Sequence, residues 1–197
     1  MRTGAVIVAA GMSSRMMDFK PMMQLGYNSI IQRVIETLKD AKVEPIVVVT
    51  GHNAYLLERH LAHLEVVCIH NPEYETTQMF DSAKLGLSYL LGKCERVLFT
   101  PADIPLFSQH TVNQLLSSNA MLVKPVCGQK SGHPILLDAS LLPELLRFRG
   151  EGGMKGALVA LNKKIELIPV EDQGILMDAD TQDDYKKLLR YLDCKNI

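Results

Sequence analysis

A chain of 197 residues with 47% hydrophobic and 22% charged side chains has the length and composition of one sizeable folded domain. A net charge of −1 leaves no electrostatic footprint for nucleic acid or an anionic membrane, so any functional cation cluster must be local. The four cysteines, Cys68, Cys94, Cys127 and Cys194, show no C-x-x-C pair and imply neither a zinc site nor a disulfide framework; with no leader-like stretch and no apolar run near the roughly 20 residues that span a bilayer, the expected setting is the cytoplasm.

The first predicted strand runs from Ala5 to Ala10, apolar throughout, and so reads as buried on both faces. It breaks at Gly11 into a loop with Ser13 and Ser14, followed by the cations Arg15 and Lys20. Ser29 is placed to cap a helix whose Ile30, Ile31, Val34, Ile35 and Leu38 recur at helical spacing. Ile46 to Val49 reads as a second buried strand ending in Thr50-Gly51-His52, Asn53 to Leu64 as a helix, and Val66 to Ile69 as a third strand. A polar loop from His70 to Thr77 leads to a helix predicted to bury Met79, Ala83, Leu87, Leu90 and Leu91, and Val97 to Phe99 is the fourth strand.

Four strands alternating with three helices predict an α/β fold: a Rossmann-like three-layer sandwich around a mostly parallel sheet. The second half predicts a helix over 109–117, a strand over 121–124 and a turn over 128–132. Val126 and Pro134 to Leu137 then form a hairpin-like excursion. A helix over 141–148, a glycine break at 150–153, a short helix over 154–161, a strand over 165–170 and a closing helix after Thr181 complete the chain. The whole reads as a single domain over 1–197, with a nucleotide-binding half over 1–107 and an acceptor-binding half over 108–197.

Ligands of such sheets gather at the carboxyl ends of the strands, where the polar loops after Ala10, Thr50, Ile69 and Phe99 all fall. A strand emptying into a glycine and serine loop presents unpaired backbone N–H groups, a cradle for anions. Arg15 adds a planar fork and Lys20 a mobile point charge, so a polyphosphate is the natural guest. The spacing matches neither G-x-G-x-x-G nor the P-loop. Asp103, in Pro101-Ala102-Asp103-Ile104-Pro105, is a hard oxygen ligand held by two prolines at a strand end, suited to Mg²⁺ on a triphosphate. Asp178 and Asp180 alternate in an extended segment, so only one of them is expected to face a metal. Thr50 is an even choice between a ligand contact and a tight turn, and His60 and His63 read as a solvated face.

Taken whole, Ala9-Ala10-Gly11-x-Ser13-x-Arg15-Met16-x-x-x-Lys20-Pro21 resembles the signature A-A-G-x-S-x-R-M-G-x-x-K that opens the MobA-like nucleotidyltransferases. Within that family the chain looks most like the molybdenum cofactor cytidylyltransferases. Asp103 falls on the aspartate of the family's short D-x-P motif, and Asp178-Ala179-Asp180-Thr181 resembles its D-x-D-T ending. The resemblance implies a fold of the nucleotide-diphospho-sugar transferase type and a reaction that transfers CMP from CTP to the phosphate of molybdopterin, with Mg²⁺ as cofactor and handover of the product to a molybdoenzyme. It assigns Ala9, Ala10, Gly11, Ser13, Arg15, Lys20, Thr50 and Ser82 to the nucleotide. Arg15, Lys20 and Asp103 become catalytic, Asp103 and Asp180 the Mg²⁺ ligands, and His133 an acceptor contact. Ala10, where guanylyltransferases of the family tend to have glycine, favours CTP over GTP. Three alternatives stay open: guanylyl or other NTP transfer to molybdopterin, transfer to a sugar phosphate or alcohol phosphate, and a catalytically degenerate nucleotide-binding accessory protein. Met17, Gln78 and Gln182, each departing from the family pattern, motivate the last.

Overall fold

A computed structural model describes residues 1–11 and 19–195 of the chain. In chain order its regular elements are β1 (Thr3–Ala9), β2 (Gln24–Leu25), β3 (Asn28–Ser29), α1 (Ile30–Asp40), β4 (Ile46–Thr50), α2 (Ala54–Leu61), β5 (Val67–His70), α3 (Met79–Leu90) and β6 (Arg96–Pro101). There follow α4 (Gln109–Ser117), β7 (Leu122–Cys127), β8 (Lys130–Ser131), β9 (Ile135–Asp138), α5 (Leu142–Arg147), α6 (Gly153–Ala160), β10 (Glu166–Pro169) and α7 (Gln182–Lys195). Short 3-10 turns at Lys20–Met22, Ala139–Leu141 and Gln173–Leu176 link them.

The main sheet has the order β10-β7-β9-β6-β1-β4-β5, with β8 hydrogen-bonded to the edge of β7. Every pairing among β6, β1, β4 and β5 is parallel, which places their carboxyl ends on one rim of the sheet. Side-chain alternation along β1 sorts the two layers. Ala5, Ile7 and Ala9 face a core built with Ile31, Val34, Ile35 and Leu38 of α1, Leu57 and Leu61 of α2, and Val112 and Leu115 of α4. Val6, Val8 and Ala10 face the other core, built with Phe80, Ala83, Leu87 and Leu90 of α3, Leu142 and Leu145 of α5, and Ala157 and Leu158 of α6. This is the expected three-layer sandwich: β1 reads as unbroken apolar sequence because helices cover both its faces. A third cluster docks α7, through Leu188 and Leu192, on Leu25, Ile30 and Ala179.

Three local expectations are corrected. The segment over 134–137 is not an excursion: β9 lies inside the sheet, antiparallel to β6 through Phe99↔Ile135 and to β7 through Leu122↔Leu137. Its Ile135, Leu136 and Leu137 are buried on both faces, so only an interior position satisfies them. Met79 and Leu91 are 57% and 42% exposed, because the buried stripe of α3 runs through Phe80, Ala83, Gly86, Leu87 and Leu90 instead. His60 is not simply a solvated face; its Nε2 lies 2.8 Å from the Oγ of Ser29, the residue that caps α1, and so ties α2 to the start of α1.

Candidate active site

The rim of the sheet opens into a cleft of about 160 Å³ between the ends of β1 and β6. Its floor is Val8, Ala9, Ala10 and Gly11 on one side and Pro101, Ala102 and Asp103 on the other. The two strands run side by side with Val8 opposite Pro101, and the Ala102 N–H donates to the Val8 carbonyl at 2.9 Å, so the two loop starts are locked together. The side chains at Ala9 and Ala10 are small, and a Cβ at Gly11 would meet no atom of the described residues within 4 Å.

The wall is the loop before α3 and the first turn of that helix: Tyr74, Thr77, Gln78, Met79 and Ser82. Asn71 shapes it from below. Buried just after β5, it donates through Nδ2 to Thr77 Oγ1 at 3.0 Å and to Ser82 Oγ at 2.9 Å, and its Oδ1 accepts from the Glu73 N–H at 3.0 Å. Ser82 Oγ accepts that bond, and its hydroxyl donates no hydrogen bond recorded among the described residues. At Gly51 a side chain would overlap the Ala10 carbonyl and Tyr74, so this glycine lets the β4 loop pass close under the cleft.

Lys20 and Pro21 close the opposite side. Lys20 starts a 3-10 turn with the buried Pro21 behind it, and its Nζ donates to Asp180 Oδ1 at 2.9 Å. Asp180 is brought there by the fold: the Ala179 N–H donates to the Asp103 carbonyl at 3.0 Å, and the methyl group of Ala179 is fully buried beneath α7. The expectation that only one of Asp178 and Asp180 turns this way is corrected: residues two apart in an extended segment share a face, so burying Ala179 throws both neighbours outward, and the charges of both act on Asp103. Burial raises the Asp103 carboxyl above the usual carboxylate range; Lys20 pulls it back, and Asp180 and Asp178 push it up again. Asp178 is raised as well, first by burial and then by the charges of Asp180 and Asp184.

Among the described residues no three histidine, cysteine, aspartate or glutamate side chains stand close enough to hold a metal alone. Two carboxylates still fit Mg²⁺ or Mn²⁺, which take one or two such ligands and complete their shell with substrate phosphate oxygens and water. The chemistry of Asp103 agrees, since a half-buried carboxylate crowded by two more is the group that a divalent cation relieves.

The structure therefore brings Ala9, Ala10, Gly11, Lys20, Ser82 and Asp103 into one cleft, with Asp180 joined to it through Lys20. Ser13, Arg15 and Met17 lie outside the described residues. Thr50 does not line the cleft. It is fully buried and its hydroxyl donates to Glu58 Oε1 at 2.9 Å, so its role is to anchor α2 against β4. His133 also stands off the cleft, packed edge-on to Phe99 with 5.8 Å between ring centres. Its Nδ1 lies 3.5 Å from the Phe99 carbonyl, and burial pushes its pKa down to about 4, which makes it a neutral imidazole. Tyr74 and Thr77 were not predicted as site residues; they sit in a polar loop without periodicity, and Asn71, whose side chain arranges it, was the one available signal.

Residues 5–165 match the model of the MobA-like NTP transferase domain. The chain is 27% identical over 182 residues to the molybdenum cofactor cytidylyltransferase of Escherichia coli K12, covering 91% of this chain and 92% of that protein. Among solved structures, a nucleotidyl transferase from Methanothermobacter superposes with a TM-score of 0.87 at 21% identity, over 98% of this chain and 99% of the other. A Mycobacterium tuberculosis H37Rv protein solved in complex with manganese superposes with a TM-score of 0.78 at 18% identity, over 96% and 99% of the two chains. The fold is that of the nucleotide-diphospho-sugar transferases, and no described helix is long and apolar enough to cross a membrane. With its rim cleft, its Lys20–Asp180 pair and this family match over most of its length, the chain belongs to the MobA-like NTP transferase family and is a nucleotidyltransferase.

Proposed function

We propose that the chain transfers CMP from CTP to the phosphate of molybdopterin, releasing pyrophosphate. The observation that carries this reading is the convergence of Lys20, Asp180 and Asp103 on a cleft floored by Ala9, Ala10 and Gly11. Likeness to the E. coli cytidylyltransferase over nine-tenths of the chain supports the choice of nucleotide and acceptor. So does alanine at position 10, where the sequence pattern favours CTP over GTP.

An acceptor phosphate oxygen attacks the α-phosphorus, the bond from that phosphorus to the bridging oxygen breaks, and pyrophosphate leaves with the bond's electron pair. The protein's work is alignment and the stabilisation of charge that spreads over phosphate oxygens. Backbone N–H groups at Gly11, with Ser13 and Arg15 beyond it in the sequence, hold the triphosphate. Lys20 neutralises charge at the α-phosphate and on the leaving group, and Asp180 keeps its ammonium aimed into the cleft. Ser82 offers its hydroxyl proton to the ribose or base. Asp103 and Asp180 would hold Mg²⁺, which supplies positive charge to the triphosphate when bound. Passage of the product to a molybdoenzyme, within the cytoplasm, completes the reading.

Pyrophosphate release tests it, measured with Mg²⁺ and molybdenum cofactor and with CTP, GTP or ATP in turn. Release with CTP alone is expected, and chelation of the metal should abolish it. Preference for GTP would keep the chemistry and overturn the argument from Ala10. Nucleotide binding without release, for any of the three, would point to another acceptor or to a nucleotide-binding role.

A further inference from the structure

The wall of the cleft is held by hydrogen bonds whose directions can be read one by one. Asn71 is 4% exposed, and its backbone N–H donates to the Thr50 carbonyl at 2.8 Å, which fixes it just beyond β5. Its Oδ1 accepts from the Glu73 N–H at 3.0 Å. The opposite amide orientation would set one donor against another and is excluded. Both protons of Nδ2 are therefore committed to hydroxyls, Thr77 Oγ1 at 3.0 Å and Ser82 Oγ at 2.9 Å.

The two hydroxyls differ in what remains to them. Thr77 passes its own proton to the Glu73 carbonyl at 2.7 Å, which closes that branch inside the loop. Ser82 has accepted from the amide, and its own proton goes to no acceptor among the described residues. Ser82 is 2% exposed, yet it lines the cleft, so the open end of the second branch meets the ligand space. A hydroxyl that accepts on one side is polarised to donate on the other, and a buried donor without an acceptor is costly. Asn71 itself does not line the cleft.

We propose that Asn71 is a positioning residue for nucleotide recognition: it fixes Ser82 as a hydrogen-bond donor, so that this wall selects an acceptor atom on the base or ribose of the bound nucleotide. That the ligand is a nucleotide rests on the transferase reading; the direction of the Ser82 bond rests on the hydrogen-bond geometry alone. Asn71 acts through Ser82 and does not touch the ligand.

Two substitutions separate bond direction from shape. Asn71→Asp keeps the size of the side chain and the oxygen that accepts from Glu73, but replaces the donor with a second acceptor that takes the Ser82 proton. Asn71→Ser adds no charge, keeps an acceptor for the turn and leaves Ser82 without its donor. CTP is the probe, titrated by calorimetry with Mg²⁺ and without acceptor. Ser82→Ala should weaken CTP about tenfold, the scale of one hydrogen bond, and Asn71→Asp at least as much despite its matching shape. Asn71→Ser should weaken CTP severalfold in the native background, but less than about twofold beside Ser82→Ala, because both act through one hydroxyl. The Asn71→Asp penalty should shrink in that background too, so either Asn71 variant that urea unfolding shows to be folded decides the cycle. In turnover, Asn71→Ser should raise the CTP KM severalfold and leave the acceptor KM unchanged.

Parental CTP affinity in Asn71→Asp or in Ser82→Ala overturns the inference. So do losses that add in full, the mark of an asparagine that merely holds the loop. Either result, in a chain that still releases pyrophosphate from CTP, leaves the transferase reading standing. Coupled losses in a chain that binds CTP and transfers no CMP do the reverse.

Discussion

Lys20 has two partners of opposite consequence. Its bond to Asp180 fixes the ammonium, and its charge eases the ionisation of Asp103 across the cleft. Lys20→Ala should therefore lower turnover by on the order of a hundredfold, the cost of about 3 kcal/mol for one lost transition-state contact, with nucleotide KM changed far less. Unchanged turnover in a pyrophosphate assay would remove Lys20 from the chemistry. His133 makes a prediction of a different kind. With its pKa pushed from 6.5 to about 4, the folded chain refuses a proton that the unfolded chain accepts between those values. Its contribution is complete above pH 6.5 and is lost as pH falls toward 4, on the order of 3 kcal/mol. Urea unfolding followed across that range should show the decline, and His133→Gln should flatten it.

Elements with one uniform pattern were legible in the sequence. The capped stripe from Ile30 to Leu38 and the apolar run of β4 follow from local chemistry, and they appear where the spacing puts them. Lys20 and Asp103 were expected at the rim and both line the cleft there: Asp103 just past the end of β6, Lys20 at the start of a 3-10 turn. Thr50 was misread because a threonine there suits a ligand or a neighbouring helix equally, and the Glu58 that claims it lies one element away. Asp172 escaped notice altogether, since its partners are distant in sequence. Buried before the 3-10 turn at Gln173–Leu176, it accepts from Ser108 N and Thr111 Oγ1 at 2.7 Å each and from Gly174 N at 3.0 Å. This carboxylate pins the segment leading to Asp178 and Asp180 against the start of α4. Asp172→Ala should cost about 3 kcal/mol by urea denaturation, through three polar groups left without a partner, and should depress turnover by loosening Asp180. A loss of stability with full activity would show that the metal-side loop holds its place without this clasp.

On the scale of the molecule, the proposed nucleotide and acceptor halves are not separate bodies. Each large core takes side chains from both sides of residue 107: Ile7 and Leu38 with Val123 and Leu136 in one, Val6 and Leu87 with Leu122 and Leu142 in the other. Unfolding should accordingly be one cooperative transition. Hydrogen exchange read separately on β1 and β7 would test this, with equal opening free energies expected and a clear gap between them ruling it out. Strand β9 makes the union possible, and it also orders events in time. On the ribosome β1, β4, β5 and β6 are all made before β9, which starts at Ile135, well after β6 ends at Pro101. At typical elongation speeds of about 5–20 residues per second, the inner edge of β6 stays bare for a few seconds in every nascent chain. During that interval a central strand of the finished enzyme is an open edge that can pair with another copy. Slow translation between Pro101 and Ile135 is then a hazard to yield that no inspection of the mature fold would reveal.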